Sequence, residues 1–270
     1  MCTIVVLCGI HPDFPVVVAA NRDEFYARAT AGPEVVEAEP RIVAGRDLEH
    51  GGSWLGACAT GMFVGLTNQR TFESPDPALR SRGEVVLEAL RQGSLDGARR
   101  YVASLDCRKY NSFNLIYGDA SAVEVAYARS DTACPEIEPL PGGVTVLTND
   151  RLGSPDFPKA LRAAELARAV TGSRWADWLE ALGGLLADHQ LPDEGSLADP
   201  PVHSVLNKPL LRQLQALCIH TPVYGTRSAT VIAVVPGRIA HYAFADGPPC
   251  TARFVDVSHL LGASGPSYSC

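Results

Sequence analysis

The chain has 270 residues, of which 46% are hydrophobic and 20% are charged. This composition excludes wholesale disorder and supplies enough apolar side chains for the core of one large domain. The formal net charge is −7, and the Arg and Lys residues form no basic run, which argues against nucleic acid and anionic membrane surfaces as partners.

The apolar start of the chain, Met1–Ile10, predicts a β-strand. It has no preceding basic residue and no small-residue cleavage site, so we do not interpret it as a signal peptide. No stretch approaches the ~20 consecutive apolar residues that span a bilayer. We therefore expect no transmembrane segment and a cytoplasmic location.

The eight cysteines form no Cys-x-x-Cys pair and no Cys/His cluster at zinc spacing. We therefore expect reduced thiols and no metal site. Among the histidines, only His220, two residues after Cys218, is retained as a candidate haem or metal ligand.

Short β-branched runs near the start predict strands that are buried on both faces. The first two are Thr3–Leu7 and Val16–Ala20, separated by a turn that contains Pro12. The stretch Gly32–Pro40 is rich in Pro and Glu and predicts a loop. Three more short strands are predicted at Ile42–Ala44, Trp54–Cys58 and Met62–Thr67.

Two helices are predicted next. Ser81 and Glu84 form a capping box at the start of the first, since each side chain can satisfy a free backbone N–H. Ser94 is expected to cap the second. The strand pattern then returns at Phe113–Tyr117, Val123–Ala128 and Val144–Leu147.

A second pair of helices follows. One begins at Pro158 and runs to about Val170, and the other is capped by Ser173. The last elements are a polar loop at Leu191–Pro201, a short helix at Pro209–Leu217, a hairpin of Thr226–Val235 and Ile239–Ala245, and a strand at Phe254–Val257.

The helices come in consecutive pairs and do not alternate one by one with strands. This order favours an α+β fold with mostly antiparallel sheets over a doubly wound parallel sheet. No internal repeat or long linker divides the chain. We predict a single domain over residues 1–261 and a flexible tail over residues 262–270.

Cys2 is the first candidate for chemistry. Removal of Met1 would leave a thiol and an α-amine on one residue. The amine titrates near ~7.7–8.0, so it can act as base for its own thiol near neutral pH. The alternative is that Cys2 is a small buried hydrophobe at the start of a strand.

The polar cluster Asn21-Arg22-Asp23-Glu24 directly follows the apolar strand Val16–Ala20. If this strand lies beside the first one, the cluster comes close to Cys2. A guanidinium lowers a thiol pKa, and a carboxylate can hold a protonated amine. The alternative is a solvated turn with a weak surface ion pair.

Two strands end in an asparagine, Asn68 and Asn149. Each carboxamide is a candidate donor to a developing oxyanion, or alternatively a favoured turn residue. Arg227 shares one face of its predicted strand with Ala229 and Val231 when side chains alternate. A charge on that apolar face requires a partner or a ligand, unless it reaches solvent at the strand end.

Several of these motifs occur together in a known family. They are Met1-Cys2-Thr3, Asn21-Arg22-Asp23-Glu24, Gly51-Gly52-Ser53-Trp54-Leu55-Gly56, Thr67-Asn68, Asn111-Ser112-Phe113-Asn114-Leu115, Leu147-Thr148-Asn149 and Tyr224-Gly225-Thr226-Arg227-Ser228. In this order they resemble the transport and Golgi organisation protein 2 family, also called the NRDE family. That family is similar to cysteine N-terminal-nucleophile hydrolases of the penicillin V acylase and bile salt hydrolase type.

The resemblance implies a four-layer αββα sandwich with the nucleophile on the first strand. It implies roles for six residues: Cys2 as nucleophile, Arg22 and Asp23 as the charged pair around it, Asn68 and Asn149 as the oxyanion and amine-holding asparagines, and Arg227 as the late strand arginine. Four more are expected to bind the ligand: Asn21, Glu24, Trp54 and Tyr224.

The charged pair departs from the acylase pattern. The acylases usually separate their Arg and Asp by two residues, whereas Arg22 and Asp23 are adjacent and should point to opposite faces of a strand. Glu24 or Asn21 is therefore an alternative for the role of Asp23.

Two functions follow as hypotheses. The first is a hydrolase of an amide or thioester of a small or lipid-like acyl compound, which requires no cofactor. The second is a non-catalytic protein that binds or transfers haem or acyl-CoA in the same cleft, where Arg22 and Arg227 would meet propionates or phosphates.

Overall fold

Two antiparallel β-sheets face each other, and helices cover the outer face of each. The computed structural model of the chain describes residues 2–204 and 206–262. In chain order the strands are β1 Thr3–Cys8, β2 Val16–Phe25, β3 Thr30–Ala38, β4 Arg41–Asp47, β5 Leu55–Cys58, β6 Phe63–Asn68, β7 Phe113–Gly118, β8 Val123–Ala128, β9 Glu136–Pro139, β10 Gly143–Leu147, β11 Tyr224–Val235, β12 Arg238–Ala245 and β13 Val255–Asp256. The helices are α1 Arg82–Arg91, α2 Leu95–Ala103, α3 Pro158–Arg168, α4 Trp175–Leu186 and α5 Lys208–Gln213.

The six-stranded sheet has the order β10-β1-β2-β11-β12-β13, and the seven-stranded sheet runs from β3 to β9 in chain order. Every pairing between these strands is antiparallel. The strand β1 is therefore internal, with β10 on one side and β2 on the other. This position brings the ends of three strands together around Cys2.

The alternation of side chains explains why β1 and β2 are apolar on both faces. Val5 and Leu7 pack in the cluster that also contains side chains of α3 and α4. Ile4 and Val6 pack in the cluster between the two sheets. A strand that is covered on both sides buries every side chain, so its sequence is a continuous apolar run.

The layers follow from three separate apolar clusters. One joins the six-stranded sheet to α3 and α4, a second lies between the sheets, and a third joins the seven-stranded sheet to α1 and α2. The predicted α+β class and the four-layer αββα sandwich are confirmed.

Two strands were not predicted. The stretch predicted as a loop, Gly32–Pro40, falls mostly in β3, an edge strand of the seven-stranded sheet. Its register shifts between Ala31 and Glu34, so Pro33 lies at a bulge, where the missing N–H removes no ladder hydrogen bond. The other is β9, on the opposite edge of the same sheet.

Two helix starts also differ from the sequence prediction. Ser81 precedes α1 as expected, but its side chain makes no capping hydrogen bond. The helix α4 has Arg174 at its N-cap in place of Ser173. The Ser94 cap is confirmed, since its side chain accepts a hydrogen bond from the Gly97 N–H.

In the part of the chain that the structure describes, no helix is both long and apolar enough to cross a bilayer. The predicted flexible tail, residues 262–270, lies outside the described residues apart from Gly262, which ends a short 3₁₀ helix in a left-handed conformation.

Candidate functional site

Cys2 directly precedes β1 and is partly buried. Thr3 pairs with Asn21 on β2, and Ile4 pairs with Leu147 on β10. Continuing the register with β2 by one residue and the register with β10 by two places Cys2 between the polar ends of β2 and β10. Because β2 and β10 both run antiparallel to β1, their C-terminal ends lie beside its N-terminal end. The predicted site motifs at these strand ends are therefore close to Cys2.

Cys2 opens onto a cleft of about 330 Å³ between the end of β2 and the loop that leads into α1. Six of the ten predicted site residues line this cleft: Cys2, Arg22, Asp23, Glu24, Trp54 and Asn68. The structure places the other four outside its lining: Asn21, Asn149, Tyr224 and Arg227.

Arg22 faces the space between the two sheets. It is 5% exposed, and its guanidinium carbon lies 4.1 Å from the centroid of the Trp54 ring. Its Nη2 lies 3.9 Å from the Glu24 carboxylate, and its buried Nη1 has no hydrogen-bond partner among the described residues. A desolvated guanidinium with a free N–H group is a strong donor for an anion in the cleft.

Asp23 points toward the helix layer on the other side of the sheet. Its Oδ1 accepts a hydrogen bond of 2.7 Å from Thr226, and its charge interacts with Lys159 on α3. Its backbone carbonyl accepts from the Tyr224 hydroxyl at 2.8 Å. Since β2 continues to Phe25, the adjacent Arg22 and Asp23 do point to opposite faces, as strand geometry requires.

Burial raises the pKa of the Cys2 thiol, and the Asp23 carboxylate raises it further. The backbone N–H of Asp23 and the guanidinium of Arg22 act in the opposite direction. The net effect raises the pKa, which favours the protonated thiol. Nucleophilic chemistry at this position therefore requires a base beside the thiol.

The two candidate asparagines have different surroundings. The side-chain N–H of Asn149 donates to the backbone carbonyl of Asn68 at 2.6 Å, which ties β10 to β6 across the two sheets. The Asn149 Oδ1 is buried and has no hydrogen-bond partner within the described part of the chain. The Asn68 side chain is exposed and lines the cleft. Asn68 is thus the carboxamide that is available to a ligand.

Arg227 does not reach the cleft. The pairing of β11 with β2 shifts register between Thr226 and Ser228, so the predicted alternation of faces is broken at Arg227. Its guanidinium donates to the Tyr26 carbonyl at 2.8 Å in an exposed position. The bulge corrects the prediction that Arg227 shares the apolar face of Ala229.

Asn21 also serves the fold and does not face the cleft. It is fully buried, and its side-chain N–H groups donate to the carbonyls of Leu186 and Leu217, both at 2.8 Å. These bonds fix the end of α4 and the segment before β11 against β2. The predicted ligand contact of Asn21 is therefore replaced by a structural one.

Two cations near Cys2 were missed by the sequence analysis. Lys159 on α3 is 1% exposed, and burial lowers its pKa while the charges of Asp23 and Cys2 oppose this shift. Arg82, the first residue of α1, lines the cleft, and burial lowers its pKa as well. A Lys or Arg in the first turn of a helix normally reaches solvent, so the sequence carries no signal for either.

Two of the solved structures that are similar to this chain are named as hydrolases. The Caenorhabditis elegans N-acylethanolamine-hydrolyzing acid amidase ortholog has a TM-score of 0.53 and 13% identity, covering 88% of this chain and 93% of that one. A mutant conjugated bile acid hydrolase from Clostridium perfringens has a TM-score of 0.56 and 10% identity, covering 97% and 94%. These likenesses show an N-terminal-nucleophile hydrolase fold.

Comparison of the amino-acid sequence with known families shows the family of this chain. The family model described as Transport and Golgi organisation 2 matches residues 1–243. The Bos taurus Transport and Golgi organization protein 2 homolog is 32% identical over 238 residues, covering 82% of each chain. The Homo sapiens homolog is 30% identical over 234 residues, again covering 82% of each chain. The chain that carries this cleft therefore belongs to the Transport and Golgi organisation 2 family.

Proposed function

We propose that this chain is a cysteine N-terminal-nucleophile hydrolase that cleaves an amide or thioester of a small or lipid-like acyl compound. The observation that carries the proposal is the position of the Cys2 thiol at the cleft, beside Arg22 and within reach of a ligand that contacts Asn68. The fold neighbours named as an amidase and as a conjugated bile acid hydrolase support this reaction class.

The mechanism starts with removal of Met1, which frees the α-amine of Cys2. This amine takes the thiol proton, and the thiolate attacks the carbonyl carbon of the substrate. The Asn68 carboxamide donates to the oxyanion that forms. Collapse of this intermediate breaks the C–N or C–S bond, and the proton passes from the amine to the leaving group. Water then hydrolyses the acyl-enzyme and restores the thiol.

The charges around Cys2 support this sequence of steps. The Arg22 guanidinium lowers the thiol pKa and so offsets part of the effect of burial. The Asp23 carboxylate lies near Cys2 and stabilises the ammonium group that forms when the amine takes the thiol proton. We therefore assign Asp23 this role in the proposed mechanism despite its opposite side-chain direction, since Cys2 lies before the first residue of β1 and not within the ladder.

A second candidate function is non-catalytic binding or transfer of an anionic ligand such as haem or acyl-CoA. The observation that favours it is the pair of cations, Arg22 and Arg82, in the cleft lining. Arg22 keeps a buried N–H group without a partner, and Arg82 forms no hydrogen bond or ion pair within the described part of the chain. Such guanidinium groups suit propionates and phosphates.

The first test is the intact mass of the purified protein, followed by peptide mapping after brief exposure to iodoacetamide. The hydrolase proposal expects loss of Met1 and selective alkylation of Cys2. Cys134 serves as the internal control, because it is an exposed free thiol outside the cleft. Retained Met1, or a Cys2 that reacts no faster than Cys134, contradicts a processed nucleophile.

The second test separates hydrolysis from binding. Wild-type protein, Cys2→Ser and the control Cys134→Ser are assayed with N-acyl amides and acyl-CoA thioesters, and acyl-CoA and haem binding are measured by titration. Hydrolysis predicts that only Cys2→Ser loses turnover, by about 10²-fold or more. Unchanged turnover in Cys2→Ser would exclude this nucleophile. Ligand binding without turnover in the wild type would favour the second function.

A further inference from the structure

A cluster of two cysteines and two histidines lies outside the cleft. His189 follows α4, Cys218 and His220 precede β11, and Cys250 lies in the loop between β12 and β13. One ligand atom from each side chain can be chosen such that all four atoms lie within 4.8 Å of one another. Four soft or borderline donors from three separate segments converge on one point.

The distances match the edges of a zinc tetrahedron. The Cys218 and Cys250 sulfurs are 3.7 Å apart, and the His220 Nε2 lies 3.6 Å from the first and 3.3 Å from the second. Zinc bonds of about 2.3 Å to sulfur and about 2.0–2.1 Å to nitrogen give tetrahedral edges of about 3.8 Å for S···S and about 3.6 Å for S···N. These three side chains therefore need little rearrangement to take the ion.

The fourth ligand, His189, has a backbone partner that can orient its ring for coordination. The Nδ1 of His189 lies 3.0 Å from the Cys218 carbonyl, and a hydrogen bond there leaves Nε2 to bind a metal. Metal-binding histidines usually donate their other N–H to a carbonyl or carboxylate in this way. The Cys218 N–H in turn donates to the Asp188 carbonyl at 2.9 Å. The segment that contains His189 is therefore hydrogen-bonded to the segment that contains Cys218.

We propose that His189, Cys218, His220 and Cys250 bind one zinc ion as a structural site. Two thiolates and two neutral imidazoles neutralise the charge of Zn²⁺, and the mixture of sulfur and nitrogen ligands in a tetrahedron selects zinc over hard cations. Because the protein fills all four positions, no position is left for a substrate. Binding releases two thiol protons to solvent, which makes the affinity rise with pH.

The proposed site connects to the residues around Cys2. Ile219, between two of the ligands, donates its N–H to the Thr226 Oγ1 at 2.9 Å, and the same hydroxyl donates to the Asp23 Oδ1 at 2.7 Å. The backbone carbonyl of Leu217, the residue before Cys218, accepts a hydrogen bond from the Asn21 side chain. Zinc would fix the segment that holds Asn21 and Asp23, and the ligands would act as positioning residues for the cleft.

From the sequence we expected no metal site and kept only His220 as a candidate ligand. The ligands are separated by 29, 2 and 30 positions along the chain, which matches no compact zinc motif. The main competing chemistry is a disulfide between Cys218 and Cys250. At 3.7 Å their sulfurs are not bonded, and bond formation would remove two of the four ligands.

The test measures the metal content of the full chain by inductively coupled plasma mass spectrometry. The protein is purified without chelator under reducing conditions. We expect about one zinc per chain in the wild type and in Cys134→Ser, the matched control. Cys250→Ser and His220→Ala are expected to retain about one-tenth of that amount or less. Wild-type levels of zinc in both ligand variants would overturn the proposal.

A second measurement does not depend on how well the variants fold. Wild-type protein is stripped with chelator and reloaded with cobalt(II), which should give the absorption of a tetrahedral thiolate site and restore the melting temperature lost on stripping. Failure to bind cobalt or zinc after complete reduction would overturn the site. So would a Cys218–Cys250 disulfide found by non-reducing peptide mapping in freshly prepared protein.

Discussion

The polar end of β2 has two faces that differ in what holds their side chains. The side chains of Asn21 and Asp23 are held on the helix-layer side by backbone carbonyls and the Thr226 hydroxyl, although Asp23 also borders the cleft at the end of the strand. Arg22 and Glu24 line the cleft, where a ring contact and an ion pair of 3.9 Å leave donor capacity free. This four-residue motif thus holds the helix layer against β2 on one face and lines the cleft on the other, because side chains alternate along a strand.

The largest expected effect tests the helix-layer face through Lys159. Lys159→Met removes a buried cation and leaves the Asp23 carboxylate without it, so we expect the free energy of unfolding to fall by about 3–5 kcal/mol. Urea denaturation measures the change. Lys109→Met is the control, since that side chain is 57% exposed. Equal stability of the two variants would show that Lys159 does not support this face.

The same variant carries a pH prediction. Burial lowers the pKa of Lys159, so the folded chain binds fewer protons than the unfolded chain between the two pKa values. The contribution of Lys159 to stability is fully present above the ordinary lysine pKa of ~10.4 and is lost as pH falls through the folded-state pKa. Lys159→Met should therefore abolish a rise of stability with pH in the alkaline range. An unchanged alkaline slope would contradict this.

A smaller loss is expected from Asn21→Ala. The substitution leaves the carbonyls of Leu186 and Leu217 without their side-chain donor, so we expect a loss of about 2–3 kcal/mol. Thermal unfolding measures it, with Asn68→Ala as the exposed control. A loss no larger than that of the control would mean that Asn21 does not support the fold as the helix-layer face requires.

The sequence predicts these faces well where alternation holds. The apolar runs of β1 and β2 predict buried strands, and the motif at the end of β2 predicts a polar site beside Cys2. Arg227 was misplaced because a bulge, which one strand alone does not reveal, breaks the alternation at that residue. The family likeness, and not periodicity, carried the prediction of two stacked sheets.

Other features depend on contacts between distant segments. The edge strand β3 was predicted as a loop because Pro33 and several glutamates are unfavourable for an internal strand, although an edge with a bulge accepts them. Lys159 is buried because α3 packs over β1 and β10, which nothing in its own helix indicates. The Cys and His side chains of the proposed zinc site converge only when three segments meet.

Arg22→Met tests the cleft-facing side with a modest effect on stability, about 1 kcal/mol for the lost contact with the Trp54 ring. Because the guanidinium lowers the Cys2 pKa, its loss should shift alkylation of Cys2 by iodoacetamide to higher pH. Peptide mapping across a pH series measures the shift. Arg227→Met should leave the profile unchanged, and an equal shift in both variants would contradict the assignment of Arg22 to the cleft.

The smallest effect is expected from Glu24→Gln. Its carboxylate lies 3.9 Å from Arg22 and 3.8 Å from Arg28 and is partly exposed, so the stability change should be below about 1 kcal/mol. Removing this negative charge should nevertheless favour anions in the cleft. Alkylation of Cys2 by iodoacetate relative to iodoacetamide should rise about two- to fivefold, and added salt should reduce the gain.

Glu165→Gln is the control for this charge effect, because that side chain is 72% exposed on the outer helix α3. An unchanged ratio in Glu24→Gln would mean that Glu24 does not neutralise the cleft cations. A gain together with a large loss of stability would mean that Glu24 belongs to the supporting face. The alternation of side chains along β2 predicts a higher iodoacetate-to-iodoacetamide ratio together with near-normal stability. The substitution then changes the charge of the cleft but leaves the side chains that hold the fold unchanged.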